Sequence, residues 1–533
     1  MHAGSLARLA DAILVPPFPG TAAPRWLLRA LEHGLAGVTL FGSNVAAPEQ
    51  LAALTAALHQ AAPEPVIAID EEGGDVTRLA HRTGSPYPGN AALGAVDDVA
   101  LTSAVYRAIG ADLAAVGVNL DLAPCVDVNT VAGNPIIGTR AFGDRTGLVS
   151  RHAAAAVAGL QSAGVAACAK HFPGHGSTRK DSHRVLAAVE GGLARVRERD
   201  LPPFAAAIAA GAATVMPGHL RVAGLTGGLP ASLSAAALGG LLRDELGFTG
   251  VIISDALEMR AVSDRDGVPG AAVRAVAAGV DLLCLGRDQD EQDYLAARAA
   301  LAAAVAAGEL PAARLADAAA RVARLRAALA ANTLPLAANT LPAEPGAAPG
   351  TGEGRGSAGG AGRTGSPGGL AAGGGGTAPP GAGRGGIGLA AARRALRVSG
   401  SPGTLTDPLV IEVAPPGNIA AGEVPWGLGP WLPARSVVQV PAGGAQAGRR
   451  LSAALAGAAG RSVIAVIRDA HRDPGAQELI TGLLARRPDT IVVEMGLPVW
   501  HPAARAYLIT YGASRASGQA AAELLGLTPP AAG

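Results

Sequence analysis

The run PVIAIDEEGGD, residues 65–75, decides the fold. Val66, Ile67, Ala68 and Ile69 leave no polar position in the two-residue period of a strand, so the segment reads as a strand buried on both faces. It then breaks at once into Asp70, Glu71, Glu72, Gly73 and Gly74. Parallel α/β barrels place their active-site groups at this carboxyl end of the strands. Seven further apolar runs have the same form: DAILVPP (11–17), GVTLFG (37–42), VNLDLAPCVDV (118–128), VAACAKH (165–171), ATVMPGH (213–219), GVIISD (250–255) and VDLLCLG (280–286). Helical stretches such as PEQLAALTAALHQA and LSAAALGGLLRDELG fall between them. Eight strand–helix units predict an N-terminal TIM-type (β/α)8 barrel.

Several runs end in chemistry-bearing side chains. The third ends in Asp70, the fourth in Asp127, the fifth in Lys170 and His171, the sixth in His219 and the seventh in Ser254 and Asp255. Charges at one rim are not needed for stability, so their shared position marks a site. Glu71 and Glu72 are expected to anchor backbone and arginine groups there, and His175 and His219 to be structural.

The 533 residues exceed what one hydrophobic core usually supports. Residues 351–390 hold 18 glycines in 40 and almost nothing to bury, which reads as a flexible tether. The expected organisation is a barrel over 1–332, a Gly/Pro-rich linker over 333–388 and a second domain over 389–533. In the last part LVIEVA (409–414), SVVQVP (436–441), SVIAVIRD (462–469), TIVVEMG (490–496) and AYLITYG (506–512) alternate with helical stretches, the pattern of a smaller αβα sandwich. Its tether is long enough that the sandwich need not dock on the barrel. Trp426, Trp431 and Trp500 either stack on the rings of a ligand or pack cores, the commoner use.

A net charge of +1, from 43 basic and 42 acidic residues, gives no field that gathers nucleic acid or an anionic membrane. Cys125, Cys168 and Cys284 lie far apart in apolar runs, as buried thiols do. With no apolar leader and no window near the length of a spanning helix, a cytoplasmic protein is expected, with no cofactor.

The stretch KHFPGHGSTRKDSH, residues 170–183, narrows the chemistry. Zinc held by His171 and His175 would want a helix stacking both rings, which Phe172-Pro173-Gly174 precludes. A strand-end G-x-S-x-G elbow for acyl transfer is missing from the sequence. Glycoside cleavage needs a carboxylate on one side of the sugar and a proton donor on the other. Asp255 supplies the first; Asp181 and His183, pointing the same way in an extended segment, supply the second as an oriented dyad.

With IDEEGGDVTR (69–78), NPIIGTRAFG (134–143), VMPGHL (215–220) and ELGFTGVIISDALEM (245–259), this stretch resembles the β-N-acetylhexosaminidase branch of glycoside hydrolase family 3 across residues 10–330. The resemblance implies a retaining release of terminal β-linked N-acetylglucosamine from peptidoglycan- or chitin-derived oligosaccharides. Asp255 would be the nucleophile and His183, oriented by Asp181, the acid/base. It implies that Asp70, Arg78, Arg140, Lys170 and His171 bind the sugar or shape its pocket. Physically, Lys170 and Arg140 are suited to donate to hydroxyls and keep Asp255 anionic, or Lys170 to pair with Asp127 or Asp70. Gly174 and Gly176 are expected to let the donor loop open and close. Three departures stand out: Asp75 where arginine or another residue is expected, Thr139 where glutamate is frequent before Arg140, and Ala256 after the nucleophile. The first two are expected to act on pocket charge. Alternatives are a β-glucosidase, a phosphorylase using phosphate as acceptor, or a catalytically silent sugar-binding protein.

Overall fold

The computed structural model describes residues 3–182, 185–335, 386–414 and 418–527. Each of the eight apolar runs of the N-terminal part holds a parallel strand: β1 (Leu14–Val15), β2 (Gly37–Leu40), β3 (Val66–Ile69), β4 (Leu120–Asp121), β5 (Ala166–Phe172), β6 (Thr214–Pro217), β7 (Val251–Ile252) and β8 (Leu283–Cys284). Strands β2 to β7 pair in chain order. The ring closes because β1 pairs with β8, Ile253 after β7 bridges Leu282, and Thr39 N in β2 donates to Pro16 O after β1. Helices follow the strands in turn, among them Pro48–Ala61 after β2 and Thr146–Gln161 after β4. The strands are buried throughout, as a sheet covered on one face and filled on the other requires.

Two details differ from the sequence reading. The fourth run is a strand only at Leu120–Asp121, so Asp121 lies at the strand end and Asp127 six residues beyond it. Pro124, lacking an amide hydrogen, interrupts regular pairing, which returns only as a bridge from Cys125 to Lys170. Gly174 and Gly176 serve close packing rather than looseness: a Cβ on Gly176 would stand 2.0 Å from Val128 O, and one on Gly174 2.5 Å from the Asp200 Cβ. Gly73 and Gly74 make the tight turn behind Asp70, with φ of 71° and 59°.

The C-terminal part is a six-stranded sheet in the order β9–β14–β13–β12–β10–β11. These are β9 (Arg397–Gly400), β10 (Leu409–Val413), β11 (Val437–Val440), β12 (Val463–Ile467), β13 (Ile491–Glu494) and β14 (Ala506–Ile509). Only β9 is antiparallel. Alternate strand residues feed two cores: Ile411, Ala465 and Val492 on one face, Val410, Ile464 and Val493 on the other. That division is the signature of an αβα sandwich. Trp431 is buried in the second core, while Trp426 and Trp500 pack at the edges of the two.

Packing on the barrel continues past the expected first boundary, because Leu334 is buried and Pro335 O accepts from Gln161 Nε2. Helix Gly386–Ala395 starts inside the expected linker, with Gly388 close against Pro86 O. The remainder of the expected linker, residues 336–385, lies outside the described residues. The sandwich touches the barrel rim directly: His471 Nε2 meets Ala132 O at 2.7 Å and Arg394 pairs with Asp98 at 2.8 Å. Among the described residues no helix is long and apolar enough to cross a membrane.

Candidate active site

A cavity of about 800 Å³ opens at the carboxyl rim of the barrel, lined by Asp70, Glu72, Arg78, Arg140, Lys170, His171 and Asp255 among others. Six of the eight residues singled out from the sequence therefore meet at one place. Of the other two, Asp181 sits half-buried in the loop after β5, next to the cavity-lining Ser182. His183 lies outside the described residues.

The cationic side of the cavity is a chain of ion pairs. Lys170 Nζ lies 2.7 Å from both Asp70 Oδ1 and Glu72 Oε1. Arg140 grips Glu72 with Nε and Nη2 at 2.9 and 2.7 Å, a bidentate pair. Burial opposes charge on Glu72, but Arg140 and Lys170 outweigh it and hold the carboxyl far below its ordinary range. The same balance works on Lys170, where Asp70 and Glu72 overcome burial and hold the ammonium above its usual value. The partners are thus Asp70 and Glu72, not Asp127. Two of the three Lys170 hydrogens are committed to these carboxylates, which leaves one for a further acceptor.

Asp127 instead orients His171. Its Oδ2 faces His171 Nδ1 at 2.8 Å, while Arg140 Nη2 faces Nε2 at 3.3 Å. Arginine only donates, so this geometry assigns the ring proton to Nδ1. Cys125, Asp127 and His171 also lie close enough together to offer three ligands to a metal. In the described arrangement the Cys125 thiol donates to Asp127 Oδ2 at 3.1 Å, and burial pushes that thiol well above its ordinary pKa. The three groups are matched to one another by hydrogen bonds.

Asp255 sits three residues past the end of β7 and lines the same cavity. Ser254 fixes it: its amide donates to Leu282 O, and its hydroxyl accepts from Cys284 N at 2.9 Å. Asp255 Oδ1 accepts from Ala256 N at 2.8 Å, and His219 Nε2 holds Ala256 O at 3.0 Å. His219 is thus a brace for the segment that carries the carboxylate. His175 braces the loop after β5, with Nδ1 on Thr178 Oγ1 at 2.7 Å and Nε2 on Ser182 Oγ at 2.8 Å. Burial, aided by His171, lowers its pKa to about 4. Glu71 is structural as expected, accepting from the amides of Arg78 and Leu79; burial raises it to about 7.

One wall was not legible in the sequence. Residues 419–424 of the sandwich line the cavity mouth, and Arg78 Nη2 donates to Ala420 O at 3.0 Å while lying 3.7 Å from Asp70 Oδ2. No local signal marks a contact between residues so far apart in the chain.

Residues 25–325 match the model of the glycosyl hydrolase family 3 N-terminal domain. The chain belongs to glycosyl hydrolase family 3. A β-hexosaminidase of Xylella fastidiosa (strain M23) is 39% identical over 273 residues, 50% of this chain and 80% of that protein. Beta-hexosaminidase A of Pseudoalteromonas piscicida is 35% identical over 273 residues, 47% of this chain but only 46% of the relative, so less than half of that protein is spanned. Among solved structures, a family 3 β-N-acetylglucosaminidase from Paenibacillus sp. str. FPU-7 superposes with a TM-score of 0.80 at 30% identity, covering 98% of this chain and 97% of that one. The family 3 match falls on the barrel, while that superposition takes in the sandwich as well.

Proposed function

We propose that the protein is a retaining β-N-acetylhexosaminidase that releases terminal β-linked N-acetylglucosamine from peptidoglycan- or chitin-derived oligosaccharides. The observation that carries this reading is the rigid placement of Asp255 in the same cavity as the Asp70–Lys170–Glu72–Arg140 chain. The named β-hexosaminidase and β-N-acetylglucosaminidase relatives support the choice of sugar. An Asp255 oxygen attacks the anomeric carbon as the bond from that carbon to the aglycone oxygen breaks, and His183, held by Asp181, gives the leaving oxygen its proton. Water then attacks the glycosyl-enzyme, His183 takes the water's proton, and Asp255 is freed. Lys170 and Arg78 each retain donor capacity toward sugar hydroxyls, while Glu72 keeps Lys170 and Arg140 charged and in place. The Asp181–His183 pair rests on the sequence motif; His175, through Ser182, is the described anchor of its loop.

The test is nitrophenol release from the β-N-acetylglucosaminide and the β-glucoside, with and without phosphate. Asp255→Ala is expected to abolish release, and His183→Ala to slow it roughly 10²- to 10⁴-fold, the range for losing a general acid/base. A preference for the glucoside, or full rates in both variants, would overturn the assignment. Stimulation by phosphate would make phosphate the acceptor.

A further inference from the structure

The two departures from the family motif that fall in the barrel loops, Asp75 and Thr139, do not reach the cavity. They meet each other behind it. Thr139 Oγ1 donates to Asp75 Oδ2 at 2.5 Å, and both side chains are buried. Two groups of the sandwich close on the same carboxylate: Ala513 N donates to Oδ1 at 2.8 Å, and Arg468 Nη2 lies 3.1 Å from Oδ2. Arg468 immediately follows β12.

These contacts form the outer of two rungs between the same pair of barrel loops. The inner rung is Glu72 to Arg140, which faces the sugar site. The outer rung is Asp75 to Thr139, three residues along one loop and one residue back along the other. The space between the rungs is only about 10 Å³, bounded by Glu72, Asp75, Thr139, Arg140 and, from the sandwich, Gly512. Arg140 O is pinned by Asn90 Nδ2 at 2.7 Å, so a shift of Thr139 has little slack before it reaches the guanidinium. Packed groups of this kind transmit displacement rather than absorb it.

We propose that Arg468 of the C-terminal sandwich is a positioning residue for the sugar site, acting through Asp75 and Thr139 on Arg140 and its partner Glu72. The sandwich then sets the geometry of the binding cluster from behind. This inference rests on the glycosidase reading for its kinetic consequence but not for its structural one.

The experiment compares Arg468→Ala, Arg468→Lys and, as a control, Arg394→Ala in the full chain. Arg394 pairs with Asp98 across the same two domains, on an exposed contact away from the cavity. KM and kcat are read on the nitrophenyl β-N-acetylglucosaminide, and amide hydrogen exchange is followed over residues 136–141. Arg468→Ala is expected to raise KM roughly tenfold with kcat little changed, the scale of a small misplacement of a binding group, and to speed exchange over 136–141. Arg468→Lys recovers part of both, and Arg394→Ala changes neither. Wild-type KM in Arg468→Ala, or the same KM rise in Arg394→Ala, overturns the proposal. If the wild type releases no nitrophenol, the glycosidase reading fails, and exchange alone then decides: unaltered protection of 136–141 in Arg468→Ala overturns the positioning role.

Discussion

At the scale of single residues, Glu72 is the group on which the cavity's electrostatics turn. Two cations share it, and its side chain is 3% exposed. Removing one partner of a buried ion pair leaves the others uncompensated, which costs about 3 kcal/mol or more. Glu72→Gln is therefore expected to lower unfolding free energy by about that amount in urea titrations, because the amide keeps the shape but not the charge. The pH dependence has a definite sign. The folded protein holds the Glu72 carboxyl below the ordinary value near 4.5 and the unfolded chain does not, so its contribution is complete above that pH and drains away as the pH falls. The variant should lose less stability than the wild type on acidification below pH 4.5; a parallel decline in both would assign the acid sensitivity elsewhere. The sequence named Lys170, Asp70 and Arg140 and expected Glu72 to anchor arginine. It left the partner of Lys170 open between Asp127 and Asp70, since pairing across about 100 residues depends on how strands stagger around the barrel.

At the scale of elements, the apolar runs were legible because a strand covered on both faces has no polar position to confuse its reading. The failure at β9 has the same cause in reverse. Its four residues, Arg397 to Gly400, are all exposed, and the strand exists by antiparallel pairing with β14, which no local pattern records. The glycines of the loop after β5 are a subtler case. Glycine signals freedom and close approach alike, and only the packing against Val128 O and Asp200 shows that closeness decides here. Gly176→Ala puts a methyl group where the Val128 carbonyl already stands, so the loop segment up to Ser182 must shift. A displacement near 1 Å of catalytic groups costs roughly 10²-fold in rate, and that is the loss of kcat/KM expected. Gly133→Ala, whose added methyl meets nothing within 4 Å, should keep wild-type activity. Near-normal rates in Gly176→Ala would mean that the loop yields without moving the proposed acid/base pair.

At the scale of the whole molecule, two domains could be read from two alternating patterns and a change in composition between them, but their docking could not. The polar contacts that join them are isolated pairs, such as Arg78 with Ala420 at a separation of 342 residues and Asp75 with Ala513 at 438, and isolated pairs leave no periodicity. The consequence for function lies at residues 418–422. Asn418 Oδ1 accepts from Ala420 N at 3.0 Å and Ala421 N at 3.4 Å, and Asn418 O accepts from Gly422 N at 2.9 Å. This side-chain turn presents Ala420 O to Arg78. Without it the carbonyl is free to swing away, and the guanidinium keeps only its looser approach to Asp70. Losing the net value of about one hydrogen bond, near 1 kcal/mol, corresponds to roughly fivefold in affinity. Asn418→Ala is therefore expected to raise KM roughly fivefold and leave kcat within about twofold, with little change in melting temperature because the turn lies at the surface. Arg78→Ala provides the comparison, since it removes the barrel half of the same contact. If Arg78→Ala raises KM and Asn418→Ala does not, Arg78 acts on the sugar from the barrel alone and the wall supplied by the sandwich is passive; if both raise it, the second domain is part of the binding site.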